Sequence, residues 1–191
     1  MRQGFYFNME ACIGCRTCQV ACKDKNDLEA GIFFRQATDY EAGAYPDVHP
    51  YHYSGSCNHC EKPECVAVCP NAAMYIDEED GTVQHDDEKC IGCEYCVKAC
   101  PYGVPKYIPS LKRTHKCDAC KPLRENGENP ACVAACPMRA LEFGPIDELR
   151  AAHPDAVSEL PCTEPAATTI PNILIGASRG ALLEDFNPVV L

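Results

Sequence analysis

Sixteen of the seventeen cysteines in this 191-residue chain fall into four short runs. Quartet one is Cys12, Cys15, Cys18 and Cys22; quartet two is Cys57, Cys60, Cys65 and Cys69. Quartet three is Cys90, Cys93, Cys96 and Cys100; quartet four is Cys117, Cys120, Cys132 and Cys136. Pro70, Pro101 and Pro137 follow the last three quartets directly, and Cys162 alone stands outside the pattern. Sixteen prolines, six Phe, nine Tyr and no Trp leave little bulky apolar material for a core of the size expected at this length. Something other than side chains must fill it.

The spacing C-x2-C-x2-C lets a tight loop aim three thiolates at three corners of an iron–sulfur cube. The fourth cysteine, three residues on and followed by proline, faces away and ligates the neighbouring cluster in two-cluster ferredoxins. Four quartets therefore predict four [4Fe-4S] clusters. Disulfides do not require such runs, and cysteines this close along the chain pair poorly with one another. Zinc sites come as two separated pairs, a weak match to three cysteines in one loop. The start "MRQGFYFNMEACIGC" shows no export signal, and the longest apolar candidate, "IPNILIGA", is too short to span a bilayer.

The runs repeat in two kinds. Quartets one and three read "NMEACIGCRTCQVAC" and "HDDEKCIGCEYCVKAC", with a β-rich stretch upstream ("GFYF", "GTVQH"). Quartets two and four read "ECVAVCPNAAMYI" and "ACVAACPMRALEF", with a β-rich stretch downstream. Between quartets two and three, "AAMYIDEEDGTVQHDDEKC" predicts two short strands around a turn containing Asp80-Gly81. Those quartets form one contiguous ferredoxin-like unit. The strand "ALEF" then needs "GFYF", so the second unit is assembled from both chain ends.

Ligand sets follow from this pairing. Cys12, Cys15, Cys18 and Cys136 hold one cluster, and Cys22, Cys117, Cys120 and Cys132 a second. Cys57, Cys60, Cys65 and Cys100 hold a third, and Cys69, Cys90, Cys93 and Cys96 a fourth. A competing arrangement pairs quartet one with two and three with four, leaving like strands without partners. The expected fold is α+β: a unit of residues 1–30 plus 110–150, an insertion at 31–56, a contiguous unit at 57–109 and an extended tail at 151–191.

The formal charge of −11 falls to about −19 once oxidised clusters are counted, which excludes nucleic acid as a partner. Lys106, Lys112, Arg113, Lys116, Lys121 and Arg124 form a basic stretch, read as compensation near anionic clusters with a docking surface as the alternative. His49, His52 and His59 lack metal-pair spacing and read as hydrogen-bonded structural residues, while His59 and His115 flank cysteine loops and are candidates for bonding cluster sulfur. Residues 23–56 predict a strand or two packed over the first unit. "PIDELRAAH" predicts a helix with Pro145 in its first turn, followed by a tail wrapping a neighbouring surface, with Cys162 a bystander thiol.

With these motifs in hand, "CIGCEYCVKACPYGVPKY", "HKCDAC" and "CPMRALEFGPIDELR" followed by "PNILI" resemble the four-cluster electron-transfer subunit of dimethyl-sulfoxide-reductase-type molybdoenzymes. The similarity runs from Gly4 to about Ile175. It implies a non-catalytic subunit, a large partner carrying a molybdenum or tungsten bis-pterin cofactor, and a quinol-linked membrane anchor, with the protein on either membrane face. It also implies that the cluster of Cys12, Cys15, Cys18 and Cys136 is nearest the catalytic subunit. Some relatives carry Trp at the position of Cys93 and a three-iron centre; Cys93 here implies a four-iron one. A free polyferredoxin is the alternative from another class.

Overall fold

In the computed structural model, which describes residues 1–189, short strands and helices alternate with the cysteine runs. β1 (Gln3–Asn8) leads into quartet one, whose last two cysteines lie on α1 (Thr17–Lys25). β2 (Gln36–Ala44) and β3 (Asp47–Gly55) form a hairpin, and α2 (Glu64–Ala67) carries Cys65. β4 (Met74–Ile76) and β5 (Val83–His85) precede α3 (Tyr95–Ala99), which carries Cys96. β6 (Lys106–Ile108), β7 (Arg113–His115), α4 (Lys121–Glu125) and α5 (Ala131–Ala134) follow. β8 (Leu141–Pro145), α6 (Ile146–Ala152), β9 (Ile173–Gly176) and β10 (Phe186–Val189) complete the order.

The two ends of the chain meet in one sheet of order β8-β1-β9. β1 runs antiparallel to β8 with Phe5 opposite Phe143, and parallel to β9 with Phe7 opposite Ile175. Its alternation serves two cores. Phe5 and Phe7 pack with Leu141, Ile173 and Ile175, whereas Tyr6 faces Ile146, Leu149 and Leu174 beneath α6. Burying each large apolar side chain in this way is worth about 1.5–3 kcal/mol.

The tail departs from expectation. Instead of wrapping a neighbouring surface, it folds back: β9 supplies the third strand of the end sheet, β10 joins β2, and Leu160 and Ala181 are buried in the main core. The last two residues of the expected tail, 190 and 191, lie outside the described residues. The apolar run "NILI" explains the return, because its buried positions need partners on both faces and β1 provides an open edge. The helix starts one residue later than predicted, with Pro145 ending β8 and standing just before the first turn of α6.

The β2–β3 hairpin packs over the main core through Ala42 and Tyr51, as the sequence suggests. β4 and β5 pair around Asp77–Thr82, where Gly81 adopts φ +69°, a conformation open to glycine at little cost. A further hairpin, β6–β7, lies in the basic stretch and carries no alternation that would have announced it. Cysteines stand among the residues of three cores: Cys18, Cys132 and Cys136 in the largest, Cys22, Cys57 and Cys117 in the second, Cys65 and Cys96 in a third.

Candidate metal centres

The two kinds of repeat are two kinds of loop. In quartets one and three, Gly14 and Gly92 take φ +65° and +68°, and the residue after the second cysteine, Arg16 or Glu94, takes φ +61° or +60° just before the helix begins. These left-handed turns curl the loop so that its thiols converge. Added Cβ atoms would strike the His52 ring at Gly14 and the Lys112 carbonyl at Gly92, so each loop is seated on a hairpin turn or strand. In quartets two and four the helices α2 and α5 begin after Pro63 and Pro130, and the left-handed residues are His59, Ala119 and Cys120. Each non-glycine residue held there costs about 1–3 kcal/mol, tolerable only where other contacts fix the turn.

Three cavities collect cysteines from two quartets each. Cys12, Cys15, Cys18 and Cys136 line one, together with Phe7, Ala37 and Leu141. Cys57, Cys60, Cys65 and Cys100 line a second. Cys69, Cys90, Cys93 and Cys96 line a third. Cys22, Cys117, Cys120 and Cys132 form a fourth group, in which Cys22 feels Cys132 and Cys120 while Cys117 feels Cys22 and Cys132.

The groups adjoin one another along α1–α5 and α2–α3, the two packed helix pairs. Cys18 and Cys22 sit on α1 beside α5 with Cys132, and Cys65 on α2 packs near Cys96 on α3. Cys117 lies close enough to Cys57 for their thiolates to repel, which sets the second group beside the third. The first group thus adjoins the second, the second the third and the third the fourth.

Burial and mutual repulsion push the thiols up: Cys22 and Cys65 to about 12, Cys60 to about 11. A dense set of buried sulfurs of this kind becomes thiolate only when a cation takes the proton's place, and all-sulfur groups with this spacing fit iron–sulfur clusters. Backbone amides are already aimed at the sulfurs: Ala140 N–H donates to Cys136 Sγ (3.3 Å), Ala119 N–H to Cys117 Sγ (3.4 Å) and Met74 N–H to Cys69 Sγ (3.5 Å). Cys15 goes the other way, exposed and held below its usual range by Thr17, whose hydroxyl is 3.3 Å from the sulfur.

Two buried cations stand among the groups. Arg35, 2% exposed, donates to Ser54 O (2.9 Å), Ser54 Oγ (3.1 Å) and Ser56 Oγ (2.8 Å) and stacks 4.9 Å over Phe5. No carboxylate pairs with it among the described residues; its charged neighbours are Cys132, Cys18, Cys117 and Cys22. Lys116 is likewise buried, bonded to the Val83 and Cys117 carbonyls. Sequence reasoning missed Arg35, because nothing local distinguishes a buried arginine from a surface one. Lys121 and Arg124 pair instead with Asp77 and Asp80, clasping the β4–β5 turn.

The histidines divide. His59 is fully buried, accepts the Val83 N–H at Nδ1 (3.0 Å) and turns Nε2 toward Cys117 Sγ at 4.0 Å, a long contact. His115 does not reach sulfur. Its Nε2 stands instead 3.1 Å from Asp87 Oδ1. His52 contacts Asp39 at 2.7 Å, and burial together with the His115 neighbour lowers His85. Cys162 joins no group; half-buried, it lies beside Tyr51, Tyr40 and Tyr53.

Comparison with known proteins finds iron–sulfur domains in this sequence. A 4Fe-4S dicluster domain matches residues 48–146 and a 4Fe-4S binding domain residues 9–27. The B subunit of anaerobic dimethyl sulfoxide reductase from Escherichia coli is 45% identical over 180 residues, 90% of this sequence and 87% of its own. The protein belongs to the family of dimethyl sulfoxide reductase B subunits. Another member, from Haemophilus influenzae, is 42% identical over 94% of this sequence and 91% of its own length. The more distant protein NrfC of Escherichia coli is 39% identical over 78% of this sequence and 67% of its own. As a member of the family, the protein is a 4Fe-4S electron-transfer subunit of an oxidoreductase complex.

Proposed function

We propose that the four cysteine groups hold four [4Fe-4S] clusters and that electrons pass along them in the order Cys12/Cys15/Cys18/Cys136, Cys22/Cys117/Cys120/Cys132, Cys57/Cys60/Cys65/Cys100, Cys69/Cys90/Cys93/Cys96. The observation that carries this reading is the first cavity, where three cysteines from the start of the chain meet Cys136 from quartet four. Two ferredoxin-like units account for it, one contiguous over residues 57–109 and one joined from residues 1–30 and 110–150. Residues 31–56 form an insertion over the second, and the segment from residue 151 onward closes its sheet.

Iron bound by four thiolates has no open position for substrate, so chemistry belongs to another subunit. That partner is a large molybdenum or tungsten bis-pterin protein, docked at the first cluster, where Ile13, Val20 and Met138 are exposed around the loop. The other end, with exposed Ile91 and Tyr95, faces a quinol-linked membrane anchor or another redox partner. No described helix is long and apolar enough to cross a membrane, so association with one runs through that anchor.

The test is anaerobic purification of the tagged protein from its native cells with metal analysis. A co-purifying large subunit with stoichiometric molybdenum or tungsten is the expected result. A brown protein that arrives alone, with about sixteen irons, would overturn the complex in favour of a free polyferredoxin.

A further inference from the structure

On the flank of the fourth cysteine group, two histidines and an aspartate converge without any role in holding iron. His85 ends β5, His115 ends β7, and Asp87 lies two residues beyond His85. Asp87 Oδ1 stands 2.9 Å from His85 Nδ1 and 3.1 Å from His115 Nε2, and all three ligand atoms lie within 4.8 Å of one another.

These distances are short, yet the alignment is not that of hydrogen bonds. Both ring nitrogens of His85 and Nε2 of His115 are buried without a hydrogen-bond partner, and the His85 side chain is only 7% exposed. A buried imidazole with no partner costs about 1–3 kcal/mol. Donor atoms about 2.0–2.2 Å from a tetrahedral zinc ion stand roughly 3.3–3.5 Å apart, a little wider than the 2.9 and 3.1 Å found here, with all three atoms within 4.8 Å of one another. Two imidazoles and a carboxylate suit a divalent ion of borderline softness and are poor ligands for an iron–sulfur cube.

We propose that His85, Asp87 and His115 bind one divalent cation of the zinc type. The surroundings permit it. Lys116, the nearest cation, has its ammonium committed to two carbonyls, and Lys121 is paired with Asp77. Asp118 and Glu125 line the same opening and add negative charge. His85 also lines the cavity of Cys69, Cys90, Cys93 and Cys96, so the ion's charge stands one side chain from that group. A cation bound there raises the potential of the nearest cluster, because reduction adds negative charge beside it.

The experiment is equilibrium dialysis of the purified holoprotein against zinc, followed by analysis of zinc and iron together and zinc X-ray absorption. One zinc per protein molecule, with nitrogen and oxygen neighbours, is expected. His85→Gln/His115→Gln retains its iron and loses the zinc. Asp87→Asn, at a half-exposed position that leaves the fold intact, weakens zinc by more than the ~10-fold typical of a lost supporting contact. No retained zinc, zinc with sulfur neighbours, or equal zinc in the double variant would each overturn the site. Iron content is read in the same samples, so loss of clusters is distinguished from loss of zinc.

Discussion

The region around quartets two and three and the region where the chain ends meet carry the same cysteine pattern but close in opposite ways. The first folds locally: β4 and β5 are three-residue strands joined by a tight turn, and the buried apolar set around them is small. The second must bring β1 to β8 and β9 across most of the chain, and it does so with longer strands and the largest core. Closing a loop about twentyfold longer costs roughly 2–3 kcal/mol more. The extra strand from the tail and the β2–β3 hairpin supply the packing that offsets it. On the proposed ligand sets, like metal centres therefore rest on unequal amounts of protein, and the difference measures how far apart the ligands lie in sequence.

The strongest way to break this comparison is to remove a crossing cysteine. Cys136→Ser is expected to abolish the same centre as Cys15→Ser, with loss of about four irons in each. EPR spectra showing that the two variants lose different centres would refute the meeting of the chain ends at one cluster. Next in size is packing. Ile175→Ala, in the end sheet, and Met74→Ala, beside the local hairpin, are each expected to cost about 2–5 kcal/mol. The first should release the clusters of quartets one and four before the others on heating, and the second the reverse, as followed by EPR during thermal loss. Simultaneous loss in both would show that the regions unfold as one.

A smaller effect separates the regions electrically. The cysteines that bear most on Arg35, Cys132, Cys18, Cys117 and Cys22, belong to the first two groups, so Arg35→Met is expected to lower the potentials of those two centres by ~60 mV, about 1.4 kcal/mol, and leave the others in place. Redox potentiometry with equal shifts at all four would remove the residue's local role. The smallest effect concerns acid. Burial works to raise Asp80, yet Thr82 and Arg124 outweigh it and hold the carboxyl below its usual range. A depressed folded value gives stability that is complete above about pH 4 and lost as pH falls through that lower value. Asp80→Asn should flatten the acid limb of stability for the local hairpin, measured by denaturation between pH 7 and the acid range, and an unchanged limb would discount the Arg124 clasp.

How much of this was legible follows the range of the interactions. Cysteine spacing reports a loop a few residues long, and the Asp80-Gly81 turn reports a hairpin of similar reach, so both were readable. The β1–β8 pairing was also readable, because two unpaired strand signals at opposite ends had only each other. β9 was not: "NILI" says buried, but its parallel partner is set by an edge more than a hundred residues away. Arg35 and the His85, Asp87 and His115 cluster were hidden for a related reason. Their meaning lies in neighbours from other segments, and a charge that is buried looks in sequence like one that is not.

The dependence of the first cavity on Cys136 reaches into biosynthesis. On the proposed ligand sets, a nascent polypeptide still short of that residue offers Cys12, Cys15 and Cys18 without a fourth sulfur, while Cys57, Cys60, Cys65 and Cys100 are already complete. Translation from the amino terminus therefore lets the third and fourth clusters be loaded during synthesis and defers the first two until the ribosome has passed Cys132 and Cys136. On the same reading, a message truncated before Cys132 would yield a subunit with iron in the half formed by quartets two and three and none in the half proposed to meet the large subunit.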